Sequence, residues 1–378
     1  MKNHYDAIVL GVGGVGSAAL CHLARRGLRV LGIERFSPGH ARGSSHGGTR
    51  IIRQAYFEHP DYVPLVLRAW QLWDELAERR GEPMYEEVGL LQVGPPQGEV
   101  VQGVLASARQ HALEVEELDA DEISRRWPGF HATSELTGAY ERRAGYLHVE
   151  RSVLAHVAEA VAAGAELACD RTAVSWRCEG PDVVVSTDRE EIGAAKLVLA
   201  AGPWAAGLLA DFAVRLAVLR KPVFWLATRD DSYRAARGCP CFLYELPSGI
   251  FYGVPQLDER GVKVAEHTAG DVVDDPLSVD RNLHTGDRDR VARFAADYLL
   301  RASGEVSDHS VCMYTMTPDR HFIVDHHPSF SQVIVIAGLS GHGFKFIPVL
   351  GEVAADLVID GTTTLPIDFL RMIRFHGD

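Results

Sequence analysis

Ala7-Ile-Val-Leu10-Gly11-Val-Gly13-Gly-Val-Gly16 is the stretch on which the fold turns. Its four leading apolar residues form a short continuous run, as in a strand buried on both faces. The glycines then follow a Gly-x-Gly-x-x-Gly spacing. Gly11 permits a tight turn, Gly13 lets the backbone approach a pyrophosphate, and Gly16 lets helix and strand pack closely. Over residues 17–26, Ala18, Ala19, Leu20, Leu23 and Ala24 recur at helical spacing, and Gly27 is placed to end that helix in the left-handed conformation. Residues 28–33 read as a second strand. Glu34 closes it, 18 positions past Gly16, where a carboxylate can accept hydrogen bonds from ribose hydroxyls. This is a βαβ unit of about thirty residues, with a helix N-terminus facing the phosphates. It predicts dinucleotide binding and does not choose between FAD and NAD.

Working outward, residues 35–49 are rich in Gly, Ser, Pro and His and form a loop beside the nucleotide site. Residues 62–80 read as an amphipathic helix whose stripe of Val66, Leu67, Trp70, Trp73, Leu76 and Ala77 packs into the core. Residues 86–145 and 217–309 alternate short strand-like and helical pieces with turns. Between them lie a helix over 148–163 and strands over 182–186 and 197–201, the last running into Gly202-Pro-Trp204. Near the end, the apolar run 333–337 leads through Gly338-Leu-Ser-Gly-His-Gly-Phe-Lys345 into a helix over 347–359. Nucleotide-type elements thus sit at the start, middle and end. The expected fold is α/β: a discontinuous Rossmann-like domain of residues 1–85, 146–216 and 310–378, with an inserted α+β domain of residues 86–145 and 217–309 carrying an antiparallel sheet.

The chain has 378 residues and a formal net charge of -13, which argues against broad binding to nucleic acid or to anionic membranes. Its six cysteines form no disulfide framework, and Cys239-x-Cys241 lacks a second pair at zinc spacing, so no metal is expected. No apolar stretch reaches the ~18 residues of a membrane span. The apolar run at 7–10 is too short for a secretory signal. These features predict a soluble, reduced, cytoplasmic protein.

Three further segments carry candidate chemistry. In Thr49-Arg50-Ile-Ile-Arg53, two arginines three apart share a face if the segment is helical, and guanidinium forks bind carboxylates. From spacing alone, a solvated basic face is the more common outcome. In Ser340-Gly341-His342-Gly343-Phe-Lys345, a glycine-rich turn between strand and helix suits an anion or a flavin. Taken singly, His342 reads as a structural histidine and Lys345 as a surface lysine. In Val311-Cys312-Met313-Tyr314, spacing gives no reason to regard the thiol as reactive.

Together, Gly43-Ser-Ser-His-Gly-Gly-Thr-Arg-Ile-Ile-Arg53, Cys312-Met-Tyr-Thr-x-Thr-Pro-Asp319, His321-Phe-Ile-Val-Asp325 and Ser340-Gly-His-Gly-Phe-Lys-Phe346 resemble the monomeric sarcosine oxidase family, which includes N-methyltryptophan and pipecolate oxidases. The resemblance runs over nearly the whole chain. It implies FAD, joined covalently through Cys312, and a monomer. It implies that Arg53 and Lys345 hold a substrate carboxylate, that Lys263 activates dioxygen, and that Arg50 and His46 lie near the flavin. His267, Tyr252 and His342 would shape the amine site. Arg35, Ser44, Thr49, Val174, Gly202 and Trp204 would line the cofactor, as would Met313, Gly341 and Gly343. The implied reaction is oxidation of a secondary α-amino acid such as sarcosine to an imine, with dioxygen reduced to hydrogen peroxide. Larger N-methyl or cyclic imino acids, and a dehydrogenase on the same fold, remain open. Gly48, Gln54 and Glu266 depart from the family pattern and bear on substrate preference.

Overall fold

The structure, a computed structural model, describes residues 4–209 and 214–375. The strand His4–Leu10 pairs in parallel with Val30–Ile33 on one side and Glu191–Leu199 on the other. The first of these neighbours pairs onward with Glu166–Ala168. The second pairs in parallel with Phe330–Ala337 and antiparallel with Asp182–Thr187, and Ala173–Glu179 closes that edge. Ile323–His327 completes an eight-stranded sheet. Its central strands are buried because helices cover them, as a parallel sheet requires.

The helix Gly14–Arg25 packs against Val149–Ala162 and Ile347–Ile359. Small residues make the second crossing close: a Cβ on Gly351 would lie 2.6 Å from the Ala18 carbonyl carbon. Gly27 follows the first helix at φ +87, as its placement predicts. The helices Tyr62–Arg80 and Ile347–Ile359 also match their expected bounds.

A second, nine-stranded sheet runs from Asp271–Val272 through Ala217–Thr228, Val262–Glu266, Gly249–Val254, Cys241–Leu246, Leu90–Gly94 and Thr137–Glu141 to Glu116–Leu118. Ala302–Met316 pairs along the long strand Ala217–Thr228, which places Cys312 opposite Lys221. That 15-residue strand passes straight through position 310, so the expected domain boundary there falls inside one element. A three-stranded ribbon of Thr49–Ile52, Gly145–His148 and Tyr85–Glu87 lies in a third sheet.

Candidate active site

Two cavities meet beyond the carboxyl ends of the parallel strands, the usual ligand position in such sheets. A cleft of about 1370 Å³ runs from Glu34 and Arg35 past the glycine turn to Met313 and Tyr314. A second cavity of about 600 Å³ adjoins it, and Arg50, Tyr314, Gly341 and Phe344 line both.

At the phosphate end, Gly11 adopts φ +84, and a Cβ there would lie 2.7 Å from the Ala200 carbonyl oxygen. A Cβ on Gly16 would lie 1.7 Å from the Gly11 oxygen, so only glycine permits this crossing. Nothing lies within 4 Å of the corresponding point on Gly13, which leaves its backbone open to a ligand. Glu34 accepts from the Val12 amide (2.8 Å) and the Phe36 amide (3.0 Å), with His40 Nε2 at 3.3 Å. Burial works to raise its pKa, but these partners hold the carboxyl below its ordinary value. Its first task is therefore to fix the turn itself.

Ser44, Gly202, Trp204, Gly341 and Gly343 line the cleft. The Arg35 guanidinium sits 5.6 Å over the Trp204 ring. The expectation for Val174 is not met by its side chain, which is 64% exposed. It lies on the edge strand Ala173–Glu179, where alternate residues turn to solvent, and its neighbour Ala173 lines the cleft instead. Arg171 Nε, Trp204 Nε1 and Thr315 Oγ1 are buried on the cleft walls with no hydrogen-bond partner among the described residues. Unmet polar atoms, an open Gly13 and a glycine-only turn fit FAD.

Cys312, His46, Thr49 and Lys263 sit one layer behind the cavity walls, around the loop at Gly47. A Cβ on Gly47 would have the Cys312 sulfur at 3.7 Å, Arg50 Nη1 at 3.8 Å and Lys263 Nζ at 3.9 Å. Arg50 Nη2 donates to Cys312 Sγ at 3.2 Å, and His46 Nδ1 lies 3.9 Å from it. Burial alone would raise the thiol pKa, but Arg50, His46 and Lys263 bring it down to about 6. Lys263 Nζ donates to the Gly47 carbonyl (2.6 Å) and to Thr49 (3.1 Å). Burial and the nearby Arg50 push it down to about 7. On the opposite side, Glu150 accepts from the Gly47 amide (2.7 Å) and the Gly48 amide (3.1 Å). Gly48 has φ +81, a left-handed conformation that favours glycine.

The second cavity gathers Arg50, Arg53, Tyr252, His267, His342 and Lys345 from across the sequence. The condition of a helical segment at residues 49–53 is not met. Thr49–Ile52 is a strand paired with Gly145–His148, and Arg53 reaches the cavity because the chain leaves the ribbon after Ile52. Arg53 donates to Gln92 Oε1 (2.9 Å) and Glu58 Oε2 (2.5 Å), while its buried Nε has no partner among the described residues. Lys345 Nζ donates to the His342 carbonyl (2.9 Å) and the Tyr56 hydroxyl (3.3 Å). Burial, then Arg53, pushes it down to about 7.

His342 Nε2 lies 3.1 Å from the Arg320 carbonyl, which can only accept. Nε2 therefore carries the hydrogen, and Nδ1 accepts from the Tyr56 hydroxyl at 2.7 Å. Burial, then Lys345, holds this imidazole well below its ordinary pKa, in the neutral form. Burial and Lys221 lower His267 to about 3. Its Nδ1 lies 3.5 Å from the Tyr314 hydroxyl, and its ring stands 6.4 Å from that of Tyr252. Lys221, itself buried, donates to the His267 carbonyl (2.7 Å) and sits 4.8 Å over the Tyr314 ring. Sequence reasoning missed Tyr56, Glu58, Gln92, Lys221 and Tyr314. Of these, only Tyr314 had a signal, through its place two residues after Cys312.

A family model for FAD dependent oxidoreductases matches residues 6–357. A monomeric sarcosine oxidase from Streptomyces avermitilis is 41% identical, with 97% of each chain covered. An N-methyl-L-tryptophan oxidase from Yersinia pestis is 36% identical over 98% of this chain and 100% of its own. Among solved structures, NikD, described as an unusual amino acid oxidase essential for nikkomycin biosynthesis, superposes with a TM-score of 0.86 at 25% identity, covering 98% of this chain and 97% of its own. With the cleft, the glycine turn and the paired cations in place, the chain is an FAD-dependent oxidoreductase of the monomeric sarcosine oxidase family.

Proposed function

We propose that the protein oxidises a secondary, N-methylated α-amino acid of the sarcosine type to an imine, with dioxygen reduced to hydrogen peroxide. The observation that carries this reading is the convergence of Arg53 and Lys345 in a cavity sharing the wall of Arg50 and Tyr314 with the cofactor cleft. When bound, FAD supplies the two-electron oxidation of the amine and the return of those electrons to dioxygen.

The chain's residues bind, orient and tune. Arg53 and Lys345 hold the substrate carboxylate, which takes over the place that Glu58 occupies on Arg53. The positive field of the two cations disfavours an ammonium beside them, so the substrate nitrogen is held in its neutral, oxidisable form. His267, kept neutral, offers the nitrogen a hydrogen-bond partner without adding charge. Lys263 offers a fixed cation where electrons reach dioxygen, stabilising charge as it develops. Cys312 would hold the flavin covalently, a role supported by the lowered pKa of its thiol. Arg35, Ser44, Gly202, Trp204, Met313, Gly341 and Gly343, which line the cleft, would hold the FAD along its length. The same reading divides the chain into residues 1–85, 146–216 and 310–378 for the cofactor, and 86–145 and 217–309 for the substrate. It places a monomer in the cytoplasm, in keeping with its six free cysteines.

A peroxide assay over sarcosine, other N-methyl amino acids, proline and pipecolate, paired with anaerobic flavin bleaching, tests it. An N-methyl amino acid should bleach the flavin and give peroxide in air. Bleaching by no member of the panel would overturn the reading, and bleaching without peroxide would make the protein a dehydrogenase.

A further inference from the structure

The loop 53–58 presents Arg53, Phe57 and Glu58 toward the substrate cavity, yet its backbone is held from behind. Gln92, on Leu90–Gly94, accepts from Arg53. Ser107, on the helix Glu99–His111, donates to the Tyr56 carbonyl at 2.5 Å. The same helix approaches so closely that a Cβ on Gly103 would lie 2.6 Å from the Phe57 carbonyl oxygen. Glu141, the last residue of Thr137–Glu141, is 1% exposed. Its Oε1 accepts from the Gln54 amide at 2.5 Å and its Oε2 from the Ala55 amide at 3.1 Å.

We propose that Glu141 is a positioning residue whose buried carboxylate grips the amides of Gln54 and Ala55, so that Arg53 is aimed at the substrate carboxylate only while Glu141 is ionised. A carboxylate offers two acceptor oxygens, one for each amide. Protonation turns one oxygen into a donor that meets an N–H head on, and one of the two bonds is lost. Gln92 and Ser107 are neutral, so they cannot replace a lost ionic hydrogen bond.

Burial pushes Glu141 up to about 7, despite the two amides and the Arg53 charge that favour ionisation. A carboxyl with a raised folded-state pKa costs stability once the pH rises past its unfolded value, so ionisation here works against folding. A group kept for stability alone would not be an ionisable carboxyl at this position. Around the loop, the charged groups are Arg53 itself, Glu58 paired to it, and Lys345, whose pKa Arg53 lowers.

The inference rests on Arg53 as the carboxylate-binding residue of the proposed function, not on which amine is oxidised. The test is therefore a binding titration, followed by flavin absorbance on the holoprotein, with methylthioacetate as a carboxylate ligand that is not turned over. Glu141→Gln should weaken binding about tenfold at pH 8, a difference of ~1.4 kcal/mol, and should match the unaltered protein within about twofold at pH 5.5. The ratio of the two affinities cancels the titrations of Lys345 and Glu58, which both proteins share. Gln92→Ala, which also touches Arg53, should weaken binding by one factor at every pH.

A Glu141→Gln ratio that does not change with pH would overturn the proposal, as would a ratio near one throughout. If Glu141→Gln yields no holoprotein, Glu141→Asp carries the same test. Its shorter carboxylate reaches one amide, so the ratio must again converge at low pH, and a constant ratio overturns the proposal. If the unaltered protein shows no spectral response at any pH, the Arg53 assignment falls and this inference with it. The amine panel reads the proposed reaction separately.

Discussion

Arg50 donates through Nη2 to the sulfur of Cys312 at 3.2 Å, across 262 positions of sequence. A guanidinium at that distance favours the thiolate, the form that reacts and forms bonds. Acid-precipitated protein should therefore stay yellow. Cys312→Ser should release all flavin into the supernatant. Arg50→Met, which removes the main charge holding the thiol down, should leave a mixture of bound and released flavin. The pellet-to-supernatant flavin ratio measures each outcome, and full release from the unaltered protein would remove the covalent link.

Lys263 is buried, hydrogen-bonded to the loop carbonyls of Gly47 and Thr49, and 5.3 Å over the Trp225 ring. Lys263→Met keeps the length and removes the cation. Stopped-flow reoxidation of reduced flavin in air should slow by about a hundredfold or more, while anaerobic reduction by substrate changes far less. Equal slowing of both steps would count against a role toward dioxygen.

The charge on Lys345 gives a pH signature. Burial pushes its pKa down to about 7, so the free protein loses this cation as pH rises through that region. The affinity of the unaltered protein for methylthioacetate, divided by that of Lys345→Met, should fall as pH rises through about 7. Dividing cancels the titration of Glu141, which both proteins share and which acts in the opposite sense. A ratio that does not change with pH would assign the alkaline loss to another group.

On the proposed role of Arg53, Glu58 should compete with the substrate carboxylate. Its carboxylate lies 2.5 Å from Arg53 Nη2, with side chains only 13% and 5% exposed. Glu58→Gln should tighten methylthioacetate binding about five- to tenfold, because the ligand no longer displaces an ion-paired carboxylate. It should also lower Tm by several degrees, since breaking a buried pair costs ~3 kcal/mol. Titration and thermal unfolding on the same variant check both. Weaker binding would mean that Glu58 helps to hold the ligand.

The βαβ beginning was legible because three constraints coincide within about thirty residues: an apolar run, a glycine spacing and a carboxylate. The helices Tyr62–Arg80 and Ile347–Ile359 were legible from periodicity, with Gly81 at φ +65 ending the first. The strand Thr49–Ile52 was not legible, because two arginines three apart fit a helical face as well and no residue there announces a partner as distant as Gly145–His148. Cys312, Arg53 and Lys345 took their meaning from resemblance. Their chemistry depends on neighbours such as Arg50 and His342 that only folding brings close. Glu58, Gln92 and Glu141 had no signal at all, since each takes its meaning from what it touches around the loop 53–58 in the folded chain.

Three functional groups converge on the peptide at Gly47, with Glu150 gripping it from the other side. On the roles proposed for Cys312 and Lys263, the tether for the flavin and the cation for dioxygen would share one footing. A substitution that shifts this peptide should disturb the surroundings of Cys312, Arg50 and Lys263 together. Cofactor retention and oxygen reactivity should then vary together in variants of residues 43–48. Directed evolution toward a different electron acceptor would have to leave that loop alone and work from the strand Val262–Glu266 instead.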